Sequence, residues 1–527
     1  TLFPFTTLFR FGAVLSALAA VLVLATLDHP GITVDEPLDV QPGRNYVAAL
    51  RAQGWTFFDP RVVNQVFRDN AEHPPLGRWL LGVASTLFEP FEIAWRGVDP
   101  VGIYTRSGRV APALCHAALV GLITATAASW FGSIAGLAAG FSMLAMPRVF
   151  AHAHLGALDT FITTFWIAAW LGAERALRSR YSSASMALAG LVWGLALLTK
   201  IHAWLLPPLV LALAYWRRDV MGTFGVVRAF SGWLISGLIV FVLGWPWLWY
   251  DGWTRFRGYL STGWDRSPIL VEYFGQVWPD HAVPWHYPWV YFLVTVPVGL
   301  HLLGTIGIVV ACRSNSAEEY RRLVVLIAPS LMLLVLFSVK APVYDGERLF
   351  LMVFPLWAIL VGRGFSWIWS RSRGRLRWVW LALLLCQAHG VVSMHPFQLS
   401  YYNALVGGLA GAERLGLELT YWNDAVDDEL LDTLAKQIRP GQTAALAPTL
   451  HPDQGKINTS TALLKKGCVL GDDPAAGSSD WLVVSRRTAY WRPEIRERVQ
   501  RDLPRAIHQR HGVWLSGIWG PIPQPFH

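Results

Sequence analysis

Residues 229 to 248 are twenty consecutive positions without a charged side chain, and comparable apolar runs recur along most of the first three quarters of the chain. As helix, a run of that length covers the hydrocarbon of a bilayer, which takes about 20 residues. By this measure spans are expected near 8–27, 110–130, 132–150, 160–175, 183–199, 203–216, 229–248, 289–311, 322–339, 349–369 and 376–393. Composition agrees, since 54% of residues are hydrophobic and only 15% charged. The 28 Trp and 26 Phe suit a surface where bilayer meets water. The predicted fold is therefore an all-α polytopic membrane domain over 1–393 with about 11 transmembrane helices. Its first run has no small-residue cleavage site and reads as a retained anchor.

Lys and Arg set the orientation, because short cytoplasmic loops carry the excess positive charge. Arg175, Arg178 and Arg180, then Arg217 and Arg218, then Arg313, Arg321 and Arg322, then Arg371, Arg373, Arg375 and Arg377 fall on one side if eleven spans alternate. With that side cytoplasmic, the N-terminus is cytoplasmic as well. The opposite face then holds 28–109, the turn at Asp159, the segment around Lys200, the Trp-rich loop 246–288, residues 345–348 and everything after 393. Leu76 to Phe91 is too short and too charged to cross, so it is expected as a surface helix in the first outer loop.

From Met394 onward charged and turn residues become common, and no run of span length remains. A helical stretch (Asp427 to Ile438) and short apolar runs (Thr443 to Ala447, Trp481 to Ser485) predict a small extracytoplasmic α/β domain over 394–527. The net charge of +9 is spent on loop clusters, not on one continuous face, so nucleic acid is not an expected partner. Cys115, Cys312, Cys386 and Cys468 have neither zinc nor disulfide spacing.

The outer face gathers ionisable residues at helix ends, where they are costly and mark function by default. Asp35 and Glu36 follow the first membrane exit. Glu72 and His73 precede two prolines that stiffen the backbone before Arg78. Asp159 heads the fourth span as a helix cap or as a catalytic acid, with Arg148, His152 and His154 just upstream. Lys200 and Arg348 either snorkel to the headgroups or contact a lipid phosphate, and Asp345 and Glu347 flank Arg348 as internal partners or as contacts to a bound sugar.

The acidic pair after the first span, Glu72-His73-Pro74-Pro75-Leu76, Leu158-Asp159 and Leu198-Thr199-Lys200 together resemble GT-C glycosyltransferases, above all the protein O-mannosyltransferases and the bacterial lipid A aminoarabinose transferases. Asp345-Gly346-Glu347-Arg348-Leu349-Phe350 and His395 to Asn403 are similar to a bacterial branch of the protein-mannosyltransferase-like family. The resemblance implies an enzyme of the bacterial inner membrane that inverts a sugar while moving it from a polyprenyl-phosphate donor to a hydroxyl of a glycan, lipid or protein. It implies Asp35 as base, with Glu36 and Asp159 as further catalytic acids. His73, Arg78, Arg148, Lys200 and Arg348 would meet the donor phosphate, Asp345 and Glu347 the acceptor or sugar. A divalent metal is optional, on Glu72, His73, His152 and His154. The rival expectation is a transporter or flippase for a lipid-linked or anionic solute.

Overall fold

The computed structural model describes the chain except residues 1–2, 69–72, 100, 179–181, 263–266, 340, 474–477 and 522–527, and the side chains of 3–9. Glu72 and Arg180 thus lie outside the described residues. Apolar helices dominate up to residue 393. They are α1 (Phe3–Leu24), α4 (Val110–Phe131), α5 (Ser133–Ala145), α6 (Asp159–Arg178), α7 (Ser183–Leu197), α8 (Leu206–Trp216), α9 (Arg218–Gly244), α10 (Tyr287–Thr295), α11 (Val298–Cys312), α12 (Ala317–Ser338), α13 (Val353–Arg371) and α14 (Arg375–Leu385). Two further helices, α2 (Glu36–Gln53) and α3 (Leu76–Arg96), lie between α1 and α4 in the chain.

Four described helices are each long and apolar enough to cross a membrane, and a fifth if α10 and α11 count as one span. The expected span 289–311 is broken, with a bend of 109° between α10 and α11. Pro297 has no N–H to continue the helical ladder and so ends the first half. Pro147 likewise separates α5 from the short helix Pro147–His152. Apolar composition alone is blind to such breaks, since both halves remain lipid-compatible.

Inside the bundle the packing is aromatic and close. Trp193 of α7 stacks on Trp233 of α9 with ring centroids 4.2 Å apart, and small residues on transmembrane helices let backbones approach this way. The α3 helix buries Arg78, Leu81, Gly82 and Ser85 and leaves Leu87, Phe91 and Trp95 exposed, which suits a helix lying along headgroups. It crosses α2 where Gly43 meets Gly82, and a Cβ on either glycine would collide with the other helix's backbone. That contact fixes Arg78 of α3 against Asp39 of α2.

The later chain builds two sheets. Strands β1 (Leu270–Tyr273) and β2 (Gln276–Pro279) form an antiparallel hairpin in the Trp-rich loop. Strands β3 (Ala444–Ala447), β4 (Leu470–Gly471), β5 (Trp481–Ser485), β6 (Ala506–Arg510) and β7 (Val513–Trp519) form a mixed sheet in the order β4-β3-β5-β7-β6. β3 runs parallel to β4 and β5, while β7 runs antiparallel to β5 and β6.

The α2–α3 crossing predicts a sharp contrast between two glycines. Gly82→Ala should cost about 1–3 kcal/mol through overpacking and lower the thermal midpoint in detergent. Gly232→Ala in α9, where a Cβ meets nothing within 4 Å, should leave the midpoint unchanged or raise it. Equal midpoints for the two variants would refute the close crossing.

Candidate active site

The loop from Gly31 to Asp35 is gripped from two sides. On one side its backbone N–H groups at Gly31 and Val34 donate to the carbonyls of Asp424 and Trp422, at 2.8 and 3.2 Å. On the other, Glu36 is wholly buried and accepts from Arg109 Nε and Nη2 at 2.7 and 2.8 Å. The same carboxylate accepts from the Thr33 and Gly156 backbone N–H groups at 2.8 and 2.6 Å and from the Thr33 hydroxyl at 3.0 Å. Arg109 also donates to the carbonyls of Leu27, Pro30 and Gly31. With its oxygens saturated, Glu36 ties the loop to the bundle, whereas its expected place was among the catalytic acids. Arg109, which completes this lock, carries no signal in the sequence beyond its position at a helix start.

Next to the lock, Arg348 gathers carboxylates from three parts of the chain. Its Nη2 donates to Asp35 Oδ2 at 2.7 Å, its Nη1 to Asp345 Oδ2 at 2.8 Å, and its Nε lies 3.5 Å from Asp159 Oδ2. Lys200 Nζ donates to the other oxygen of Asp159 at 2.6 Å. The ring of Trp422 lies 4.4 Å beneath the Arg348 guanidinium, a cation–π contact that holds the charge flat. Asp35, Asp159, Lys200, Arg348 and Asp345 therefore meet in one place although up to 313 residues separate them. The Asp35 side chain is 27% exposed, against 2% for Asp159 and 4% for Asp345. Among the carboxylates around Arg348, it alone is open to an incoming molecule.

Arg78 extends the site, with its Nε 3.0 Å from Asp39 Oδ1. Asp39 lies one helical turn after Asp35 and was not singled out from the sequence; spacing of four from the acidic pair was the available clue. Burial, and next to it the neighbouring Asp35, push the Asp39 carboxyl up to about 6 against the pull of Arg78. Burial, then the cations Arg78 and Lys200, hold His73 well below the usual imidazole range, so it is a neutral ring at pH 7.

The remaining residues form a neighbouring cluster. Arg148 donates to Glu347 Oε2 at 2.8 Å and to the Tyr401 carbonyl at 3.0 Å, and it packs over Tyr402 at 4.6 Å. A guanidinium so committed holds the 345–348 turn against the bundle, where its expected role was a contact to the donor phosphate. Glu347, paired with Arg148 through one oxygen and with His152 Nε2 3.6 Å from the other, braces the same turn. His154 is engaged elsewhere, with one ring nitrogen 2.8 Å from the Thr26 hydroxyl and the other 2.9 Å from the Phe150 carbonyl. His73, His152 and His154 thus do not converge as metal ligands. The group of described residues with metal-ligand proximity is Asp427, Glu429 and His508, outside this site.

Residues 72–250 match a family described as Dolichyl-phosphate-mannose-protein mannosyltransferase. No curated protein matches the sequence. In fold the chain is similar to ArnT from Cupriavidus metallidurans, both in the apo state and bound to undecaprenyl phosphate, at 16% identity and a TM-score of 0.52 in each case. Each likeness covers 96% of this chain, with 96% of the apo ArnT chain and 97% of the bound one. The chain has the GT-C fold. The matched stretch 72–250 contains His73, Arg78, Asp159 and Lys200, while Asp35 and Arg348 reach them only through folding.

Two predictions follow from this geometry. Glu36→Gln, which strands Arg109 without its counter-charge, should cost about 3–5 kcal/mol and sharply reduce folded protein. Asp35→Asn should leave the thermal midpoint within a few degrees of wild type, and a collapse in both variants would refute the division of roles. The second concerns pH. Asp39 and Asp424 are both raised to about 6 by burial, so the folded chain binds these protons more tightly than the unfolded one. Their contribution to stability is therefore greatest at low pH and is lost as pH rises from about 4 to 6. An Asp39→Asn/Asp424→Asn variant should gain midpoint relative to wild type across that window, and a constant difference would count against it.

Proposed function

We propose that this protein is an inverting glycosyltransferase that moves a sugar from a polyprenyl-phosphate donor to an acceptor hydroxyl at the outer membrane face. The observation that carries the proposal is Asp35, an open carboxylate held at 2.7 Å by Arg348 beside a second cation, Lys200. The family match at 72–250 and the fold likeness to an ArnT that binds undecaprenyl phosphate support the same donor class.

In this mechanism Asp35 accepts the proton of the acceptor hydroxyl as that oxygen attacks the anomeric carbon. The phosphate leaves from the opposite face, and inversion follows from the in-line geometry. Its developing charge is met by Lys200 and Arg348, pre-positioned in a water-poor site where they act strongly. Asp159, bound to both cations, keeps them aligned before the donor arrives. An anionic donor must take contacts over from that carboxylate, because Asp35, Asp159 and Asp345 already balance the nearby guanidinium and ammonium groups. Arg78, paired with Asp39 at 3.0 Å, adds a further cation beside the site. Among the described residues, the candidate ligands His73, His152 and His154 form no metal-binding group, and no step is routed through a metal. The acceptor class, whether glycan, lipid or protein, is the open variable of the assay below.

A transporter would place its ionisable groups at broken helices near mid-depth. Among the described residues, the sharply bent helix pair is α10 and α11, and the sequence 293–300 around its break carries no charged residue. The test is to give the purified chain in lipid a panel of radiolabelled polyprenyl-phosphate sugars and to follow label into lipid, glycan and protein acceptors. Asp35→Asn should lower turnover by about 10²–10⁴-fold, the range for loss of a general base, with donor binding retained. Wild-type turnover in that variant would eliminate Asp35 as base. Movement of intact donor across the bilayer without label transfer would favour the transporter.

A further inference from the structure

The segment after β5 leaves the sheet and enters the active-site wall. We propose that Arg487 is a positioning residue for transfer, holding Asp345 and through it Arg348 and Asp35, so that the later, sheet-bearing part of the chain completes the site. The proposal rests on Asp35 acting as the base.

Asp345 bridges two guanidinium groups with one oxygen each. Oδ2 accepts from Arg348 Nη1 and Oδ1 from Arg487 Nη2, both at 2.8 Å. The chain of contacts then continues through Arg348 Nη2 to Asp35 at 2.7 Å. Asp345 needs such a grip because its backbone sits at φ 54° and that of Gly346 at 67°. A left-handed conformation is uncommon for a non-glycine residue, though Asp adopts it more readily than most, and here surrounding contacts hold it. Arg487 supplies one of those contacts, and the Tyr287 hydroxyl, accepting from the Gly346 N–H at 2.9 Å, supplies another.

Arg487 is itself fixed from several directions. Its Nη1 donates to the Tyr421 carbonyl, and its guanidinium lies 4.8 Å from the Tyr490 ring. Tyr490 in turn receives the Leu270 backbone N–H at 2.8 Å, and Thr488 donates to Glu272, so 487–490 also grips the β1–β2 hairpin. Among the described residues, the other carboxylate within 4 Å of Arg487 is Glu418, at 3.9 Å. Both Glu418 oxygens lack hydrogen-bond partners, and burial raises its carboxyl well above the usual range. The charge of buried Arg487 is therefore balanced by Asp345, and its position decides where Asp345 sits.

The test uses the full chain in lipid nanodiscs with Arg487→Met, Arg487→Lys, Asp345→Asn and the Arg487→Met/Asp345→Asn pair. Amide hydrogen exchange over 343–350 should rise in Arg487→Met while exchange in β5 and β7 stays at wild-type rates. Turnover should fall by about tenfold or more, as expected for sub-ångström misplacement of reacting groups, with KM for the acceptor unchanged. Arg487→Lys, which keeps the charge and loses the fork, should fall between Arg487→Met and wild type. The double variant should be no slower than Asp345→Asn alone, because the two residues act in series. Losses that multiply in the double variant, or unchanged exchange at 343–350, would overturn the proposal. Should Arg487→Met fail to fold, Arg487→Lys decides by the same readings. Should wild type transfer no sugar from any donor, the proposed function fails by itself, and hydrogen exchange alone then decides whether Arg487 holds the turn.

Discussion

A guanidinium removed from water keeps its charge and so needs carboxylates around it, and Arg348 draws in Asp35, Asp345 and Asp159 from distant parts of the chain. Each partner comes from a different structural unit: the first outer loop, the turn before α13 and the head of α6. Removing either of the buried partners of Arg348, Asp159 or Asp345, leaves an uncompensated buried charge, which costs far more than the loss of the part-exposed Asp35 pair. The same interaction that assembles the site thus also fixes the relative placement of three helical segments. A site built in this way is rigid before any substrate arrives, which is the condition for electrostatic stabilisation of a leaving group.

Around this centre, polar backbone is buried to an unusual degree. Residues Glu418 to Asp424 are nearly inaccessible although most of them are polar. Their carbonyls at Tyr421, Trp422 and Asp424 accept from Arg487, Val34 and Gly31, so the segment serves as the partner strand the first loop would otherwise lack. Burial of that kind is tolerable only when such groups are paired. Here the pairing ties the outer loop, the 345–348 turn and the C-terminal segment into one unit over the membrane helices.

Adjacent acids in the first loop were alike as letters and differ completely in surroundings. Asp35 keeps one oxygen toward the open side, while Glu36 is saturated by Arg109, Thr33 and Gly156. Arg148 and Arg348 diverge in the same way, one sealed against Glu347 and Tyr401, the other at the centre of the site. Asp39 escaped notice because a single acid inside an amphipathic helix looks like surface. Its interest comes from Arg78 on a helix that reaches it only through the Gly43–Gly82 crossing. The bend at Pro297 was equally hidden, because apolar composition on both sides of a proline does not tell a crossing from a break.

Membrane residence, a largely helical fold, a helix beginning at Leu76 in the first loop and the short list of ionisable residues at helix ends were determined by the sequence alone. Each depends on local apolar length or on the cost of a charge near lipid, quantities that can be summed along a chain. Which of those residues cluster around Arg348, which are locked as structural pairs and which later segment reaches them were decided only by the tertiary structure. Those outcomes depend on which side chain saturates which carboxylate across hundreds of residues, and pairing at that range is set by helix packing, not by sequence spacing.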